Sequence, residues 1–343
     1  MLQVVNQTPL TAALTVFPNP QGIECAYANV KASFDFSSGE PVLSAQQAAF
    51  LATDVYWGDP AQSSLRAAAD LTLLKPATDV LLLGRAISQR GAVHSMSVGV
   101  KVGPLQRQLR ILGNRRWIAH GKRDYAISDP ELFERVPLRW ELAYGGIGAM
   151  VDGRVVESEA RNPHGRGFIA SYEEDVDGRP LPNIEDPAML IASPQDRPPP
   201  AGVAPVAPAW RTRSQHAGTY DEAWQSGRAP HLPLDFDPRF FNAAAPGMVA
   251  SGYLQGGEDI SIIGCTAGAP LQFKLPRLDL QLEWLFDGKA IAARPVLDTV
   301  SFETDLGRLQ MVWRAELRVD KRLLKLRELR VACPGLQPAA EPA

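Results

Sequence analysis

Cysteine is scarce in this chain, with three residues, Cys25, Cys265 and Cys333, among 343. Their odd number and wide spacing, with no CxxC pair, leave no disulfide framework and fit a reducing compartment. Histidine is sparse too. His94, His120, His164, His216 and His231 stand apart, without HExxH or any other close ligand spacing. No apolar run approaches the length of a membrane span. The N-terminus MLQVVNQTPL has no basic stretch followed by a long apolar one, so no secretory signal is read there. Excess charge is also missing. The net charge is -3, and the basic groups Arg115–Arg116 and Lys321–Arg322 are too short to form the clustered positive surface that nucleic acid requires. These absences lead to the expectation of a cytoplasmic protein that binds neither nucleic acid nor membrane.

What is present is a core. At 45% hydrophobic and 21% charged, the chain can bury one large core or two moderate ones. Most patterned segments alternate with a period of two. Ala26, Ala28, Val30, Ala32, Phe34 and Phe36 share one face, opposite Tyr27, Asn29, Lys31 and Asp35, which predicts a half-buried strand. Met96, Val98, Val100 and Val102 alternate up to Gly103–Pro104, and Leu105, Leu109 and Ile111 resume beyond it, the signature of a hairpin. The continuous apolar run from Asp79 to Gly84 reads as a strand covered on both faces. Leu278, Leu280, Leu282, Trp284 and Phe286 alternate before an Asp287–Gly288 turn. Val300 and Phe302 precede a turn at 305–307, and Met311 to Val319 returns as a strand. Arg322 to Val331 fits a helix or an edge strand equally.

Helix signals are few. Thr219 as N-cap and Glu222 three residues on form a capping box for a short helix ending near Gly227, and Ser44 to Leu51 suggests a further turn or two. The expected fold is mainly β, with antiparallel sheets, sandwich- or barrel-like, and few short helices. Strand-rich parts at 1–160 and 259–333 flank a loop-rich middle at 161–258, as one domain over 1–333 or two packed subdomains. Residues 334–343 read as a disordered tail.

The middle is a string of loop motifs: NPHGRGF (162–168), LPNIEDP (181–187), GTYDEAW (218–224), DFDPRFFNAAAP (235–246) and GYLQGGE (252–258). Long irregular segments are functional or disordered, and aromatic content favours order, so this stretch reads as a binding surface. Its chemistry is thin. No GxSxG elbow exists. The GGIG run at 145–148 lacks the third glycine of a dinucleotide fingerprint, and EEDVDG (173–178) lacks the ligand series of a calcium loop. The close carboxylates Glu185 with Asp186, Asp221 with Glu222, and Asp235 with Asp237 read as turn, helix-start and Asx-turn residues. Aromatic and arginine side chains are the remaining candidates, since interfaces are enriched in them, although loops also use them to hold themselves together.

VVNQTPL, VKASFDF, DVYWGDPAQSSLR, DLTLLKPATDVLLLG, GNRRW, PLRWELAYGG, NPHGRGF, LPNIEDP, GTYDEAW, the PLDFDPRFF segment and GYLQGGE follow one another in this order. The series resembles a bacterial family of domain-of-unknown-function proteins that serve as adaptors or chaperones in type VI secretion. The resemblance runs from Val4 to Val331 and rests on the order of many motifs, none diagnostic alone. Members are encoded beside the valine-glycine-repeat spike protein (VgrG), PAAR-like spike-tip proteins and toxic effectors. What it implies is an adaptor that binds a PAAR-like domain or an effector N-terminus and helps mount it on the spike, with no catalytic residue, cofactor or metal to carry over. Residue type places the partner-binding face on Tyr56, Trp57, Arg166, Phe168, Tyr220, Trp224 and Arg239. The rival reading is a cleft hydrolase acting on carbohydrate or peptide, with His164, Glu185, Asp221 or Asp237 as acid–base groups. A component fired with the spike is a third.

Overall fold

The structure is a computed structural model that describes residues 2–121, 123–151, 154–171 and 175–336. The alternating segments become sheets. Thr11–Pro18, Glu24–Asp35, Arg308–Arg318, Val296–Glu303 and Asp79–Leu83 lie side by side in that order, with the short Val42–Leu43 paired to Glu24–Asp35. Every pairing here is antiparallel except that of Asp79–Leu83, which runs parallel to Val296–Glu303. Asp79–Leu83 is buried as its apolar run predicts. Its outer edge is covered by the loop-rich middle, because Val80 N donates to Met248 O and Leu82 N to Val203 O. That cover removes an edge on which another chain could pair.

A second sheet orders Ile184–Glu185, Leu105–Leu112, Ser95–Val102, Asp259–Ile263 and Leu271–Lys274. It contains the expected hairpin, with Val102 opposite Leu105 across Gly103 at φ 54°. A third orders Gln3–Asn6, Leu326–Ala332, Gln281–Phe286 and Lys289–Ala293. Asp287 and Gly288, at φ 51° and 73°, form the two-residue turn whose twist suits a tight hairpin. The ambiguous segment resolves into a single 3₁₀ turn, Leu323–Lys325, and the strand Leu326–Ala332. That strand sits inside its sheet, not at an edge. The fold is mainly β, and among the described residues the α-helices are Arg211–Ser214 and Glu222–Gly227. None is long and apolar enough to cross a membrane. The largest cluster of contacting buried apolar side chains draws on all three sheets, from Leu10 to Cys333. The three thiols are free and buried, and burial pushes Cys25 up to about 11 and Cys265 up to about 12.

Glu24–Asp35 is not half-buried. From Cys25 to Phe34 both of its faces are covered. The face bearing Asn29, Lys31 and Ser33 lies under the chain from Gln47 to Lys75, and its polar groups are paired there. Lys31 Nζ meets Asp70 at 2.7 Å and Ala49 O at 3.2 Å. The Arg314 guanidinium meets Asp298 at 2.7 Å and donates to Asn29 Oδ1, Thr72 O and Asp70 O. Lys75 Nζ bridges Asp79 at 2.8 Å and Thr299 Oγ1 at 2.7 Å. Buried charge persists when it is paired and hydrogen-bonded, which is why polar alternation failed to mark a solvent face here.

The same cover explains the missing helix at Ser44 to Leu51. Gln47 exchanges hydrogen bonds with the Ser33 backbone, Ala48 N donates to Ser33 Oγ and Leu51 N to Asp70. Backbone groups that a helix would need are engaged by Ser33 of the sheet and by Asp70. At the other end, Leu336 N closes a turn onto Cys333 O, and the rest of the expected tail, 337–343, lies outside the described residues.

Candidate functional site

Loops lack the hydrogen-bond ladder of a sheet, so side chains must satisfy their backbone. In NPHGRGF the pivot is Asn162, which is fully buried. Its Nδ2 donates to Trp140 O at 2.8 Å and Tyr144 O at 3.0 Å, and its carbonyl accepts from Gly146 N. Gly145, at φ 149°, allows this approach, since a Cβ there would stand 2.1 Å from Asn162 O. Tyr144–Gly145 then pairs in parallel with Arg166–Gly167. The glycine run is a packing device.

Arg166 and Phe168 are held within this arrangement. Arg166 donates to Glu141 O at 3.1 Å and Asn183 Oδ1 at 3.2 Å, and burial lowers its pKa against the nearby Glu141 charge. Phe168 lies edge-on to Tyr144 and under Arg197, against a small core that includes Trp117, Ile169 and Leu181. Glu141 also ties in the YWGDP segment. Its carboxylate accepts from Ser64 N at 2.7 Å and Ser64 Oγ at 2.8 Å, and Ser64 O accepts from Trp57 N. Trp57 is half-buried with Arg139 stacked at 3.6 Å and Arg66 at 5.2 Å from its ring. Tyr56 packs against the main core, where burial, with help from Asp54, raises its pKa while Arg213 opposes. Arg213 is itself buried and holds Val206 O and Phe240 O, both at 2.9 Å. Contacts through Ser64 and Glu141 thus join Trp57 and Arg166.

Around Glu222–Gly227 the residues face outward. The helix is where the capping box predicts it, but its cap is Asp221, whose side chain accepts from Trp224 N at 2.8 Å. Thr219 is engaged elsewhere, donating its N–H and hydroxyl to Asp235 at 3.0 and 2.7 Å. Tyr220 is 53% exposed and stands edge-on to Trp224 at 4.7 Å, while Trp224 Nε1 anchors to His231 O at 2.8 Å. Beside them opens an apolar cleft of about 360 Å³ between Phe17, Pro18, Leu73, Leu232 and Phe241. Arg239 is exposed and paired with Asp237, which starts the Pro238–Phe241 turn by accepting from Arg239 N. That guanidinium holds the Asp237 carboxyl below its usual range.

The four acid–base candidates occupy separate structural posts. Glu185 is not a turn residue. It is buried in Ile184–Glu185, paired with Arg115, and accepts from Ile191 N at 2.8 Å, and the turn begins at Asp186. His164 packs edge-on to Trp210 at 5.6 Å. Asp221 caps a helix and Asp237 a 3₁₀ turn. Among the described residues no three His, Cys, Asp or Glu side chains gather as metal ligands. The connectors Asn162, Glu141 and Arg213 escaped the sequence reading. Asn162 and Glu141 stand in NPHGRGF and PLRWELAYGG, but local pattern does not report the distant groups they serve.

A family described as an uncharacterized protein conserved in bacteria (DUF2169) matches residues 21–314, which takes in the strand Glu24–Asp35, the loop motifs and most of the C-terminal strands. No curated protein and no solved structure matches the chain. The chain belongs to the DUF2169 family of bacterial proteins.

Proposed function

We propose that this chain is a non-enzymatic adaptor, or chaperone, that binds a PAAR-like domain or an effector N-terminus and helps load it onto the VgrG spike of type VI secretion. The ordered motifs that resemble the secretion adaptors motivate the choice of system. The observation that carries the binding role is the apolar cleft of Phe17, Leu232 and Phe241, lined also by His231, to whose carbonyl the half-buried Trp224 is anchored with the exposed Tyr220 edge-on to it. Contiguous exposed apolar surface rimmed by polar groups marks interaction sites, and central Tyr, Trp and Arg side chains carry much of the energy of such contacts. The engagement of His164, Glu185, Asp221 and Asp237 in packing, pairing and capping supports the non-enzymatic side of the reading.

In this reading Tyr220, Trp224 and Arg239 meet the cargo, and Tyr56, Trp57, Arg166 and Phe168 hold the loops that present them. Covering apolar cargo surface before assembly lowers its aggregation, and release follows when the spike competes. Co-expression with PAAR-like domains and effector N-termini is the test. The expected result is a stable complex with one of them that retains it in soluble form. Absence of any complex, together with hydrolysis of a carbohydrate or peptide by the purified chain, overturns the reading.

A further inference from the structure

A second cavity, of about 240 Å³, lies on the polar face of the sheet built on Glu24–Asp35. It is walled by two motifs, DVYWGDPAQSSLR and DLTLLKPATDVLLLG, through Arg66, Asp70 and Lys75, and Arg66 also lies over the Trp57 ring. Its floor carries Lys31 and Lys75, 2% and 4% exposed. Its rim carries Arg66 and the partly exposed Glu303 and Arg308.

Hydrogen-bond accounting gives the cavity a chemical sense. An ammonium has three donors. Lys31 Nζ uses two, on Asp70 and Ala49 O, and Lys75 Nζ uses two, on Asp79 and Thr299. Arg308 engages Glu303 through Nη2 alone and is partly exposed at the rim. Three cations lining the cavity therefore each retain a donor. Charge points the same way. Lys31 pairs with Asp70, Lys75 with Asp79 and Arg308 with Glu303, which leaves Arg66 as the one lining cation without a carboxylate partner among the described residues. A carboxylate only accepts, carries one negative charge and fits a space smaller than a drug-sized pocket.

We propose that this cavity binds a carboxylate presented by a polypeptide, either an acidic side chain or a chain terminus. Lys31, Lys75 and Arg308 donate to it and Arg66 supplies the matching charge at the mouth. Only the polypeptide origin of the group rests on the adaptor reading.

The test titrates the full chain at constant ionic strength with N-acetylglutamate amide, N-acetylglycine, the uncharged N-acetylglutamine amide and inorganic phosphate, followed by thermal melting and calorimetry. One of the two carboxylates is expected to bind saturably in the millimolar range, and which one does so tells a side chain from a terminus. The uncharged analogue should not bind. Arg66→Gln, at an exposed position that spares the fold, should weaken binding about tenfold, the scale of one charge-assisted hydrogen bond. Ser301→Leu, which fills the cavity wall, should abolish it. The assignment fails if neither carboxylate binds, if the amide or phosphate binds as well, or if Arg66→Gln leaves affinity unchanged. No cargo enters this titration, so its failure is told apart from failure to capture a cargo protein.

Discussion

The sheet built on Glu24–Asp35 and the loops between 161 and 258 both bury polar side chains, yet they use them differently. In the sheet, charge meets charge: Lys31 with Asp70, Lys75 with Asp79, Arg314 with Asp298. In the loops, the buried Glu185–Arg115 pair aside, side chains meet main chain. Asn162 serves the carbonyls of Trp140 and Tyr144, Asn183 that of Leu112, and Arg213 those of Val206 and Phe240. The ladder already satisfies the backbone of a sheet, so its buried polar side chains pair with one another and serve the carbonyls of the covering chain at Ala49, Asp70 and Thr72. A loop has no ladder, and its motif residues take that place. Residues that look chemical in a loop motif are therefore first accounted for as backbone partners, and the surface left for another protein is what remains.

The largest expected effect tests the charged side of the comparison. Arg314→Ala should cost about 3–5 kcal/mol in urea unfolding, because Asp298 is left buried without its partner. A loss below about 1 kcal/mol, the scale of an exposed pair, would mean that the sheet charges are not interdependent. Asn162→Ala comes next. Removing two buried donors to carbonyls should cost about 2 kcal/mol, with local loosening of the 140–146 backbone seen by hydrogen exchange. Uniform loosening throughout the chain would deny the loops their own support. Asp221→Ala removes an exposed helix cap worth about 1 kcal/mol, and faster exchange at Trp224 N is the readout. Smaller still is the response to acid. Thr219's backbone and hydroxyl donors hold Asp235 below the usual carboxylate range, and Arg239 does so for Asp237. A depressed folded pKa contributes stability above the unfolded value, and that stability is lost as pH falls through the folded one. The Thr219–Asp235 and Arg239–Asp237 contacts should therefore release only below the pH at which free carboxylates protonate, as monitored by the amide shifts of Thr219 and Arg239.

Much of the β architecture was legible because a half-buried strand writes its burial into a period of two. Ser95–Val102 with Leu105–Leu112 shows this, as does the turn at Asp287–Gly288. The second buried face of Glu24–Asp35 was not, since Lys31 finds Asp70 39 residues away and local pattern does not report distant partners. The helix start was displaced from Thr219 to Asp221 for a similar reason, because Asp235 claims the threonine's donors. At the candidate site, residue type singled out seven side chains without separating their roles. Burial helps, with Tyr56, Trp57, Arg166, Phe168 and Trp224 half-buried and Tyr220 and Arg239 in the open.

Cargo affinity and melting temperature measured together on a Tyr220→Ala, Arg239→Ala variant test the central claim most directly. Both side chains are exposed, so stability should change by less than about 1 kcal/mol while affinity falls about tenfold or more. Unchanged affinity in this stably folded variant, with binding lost only in variants that melt early, would place the cargo contact elsewhere and contradict the account.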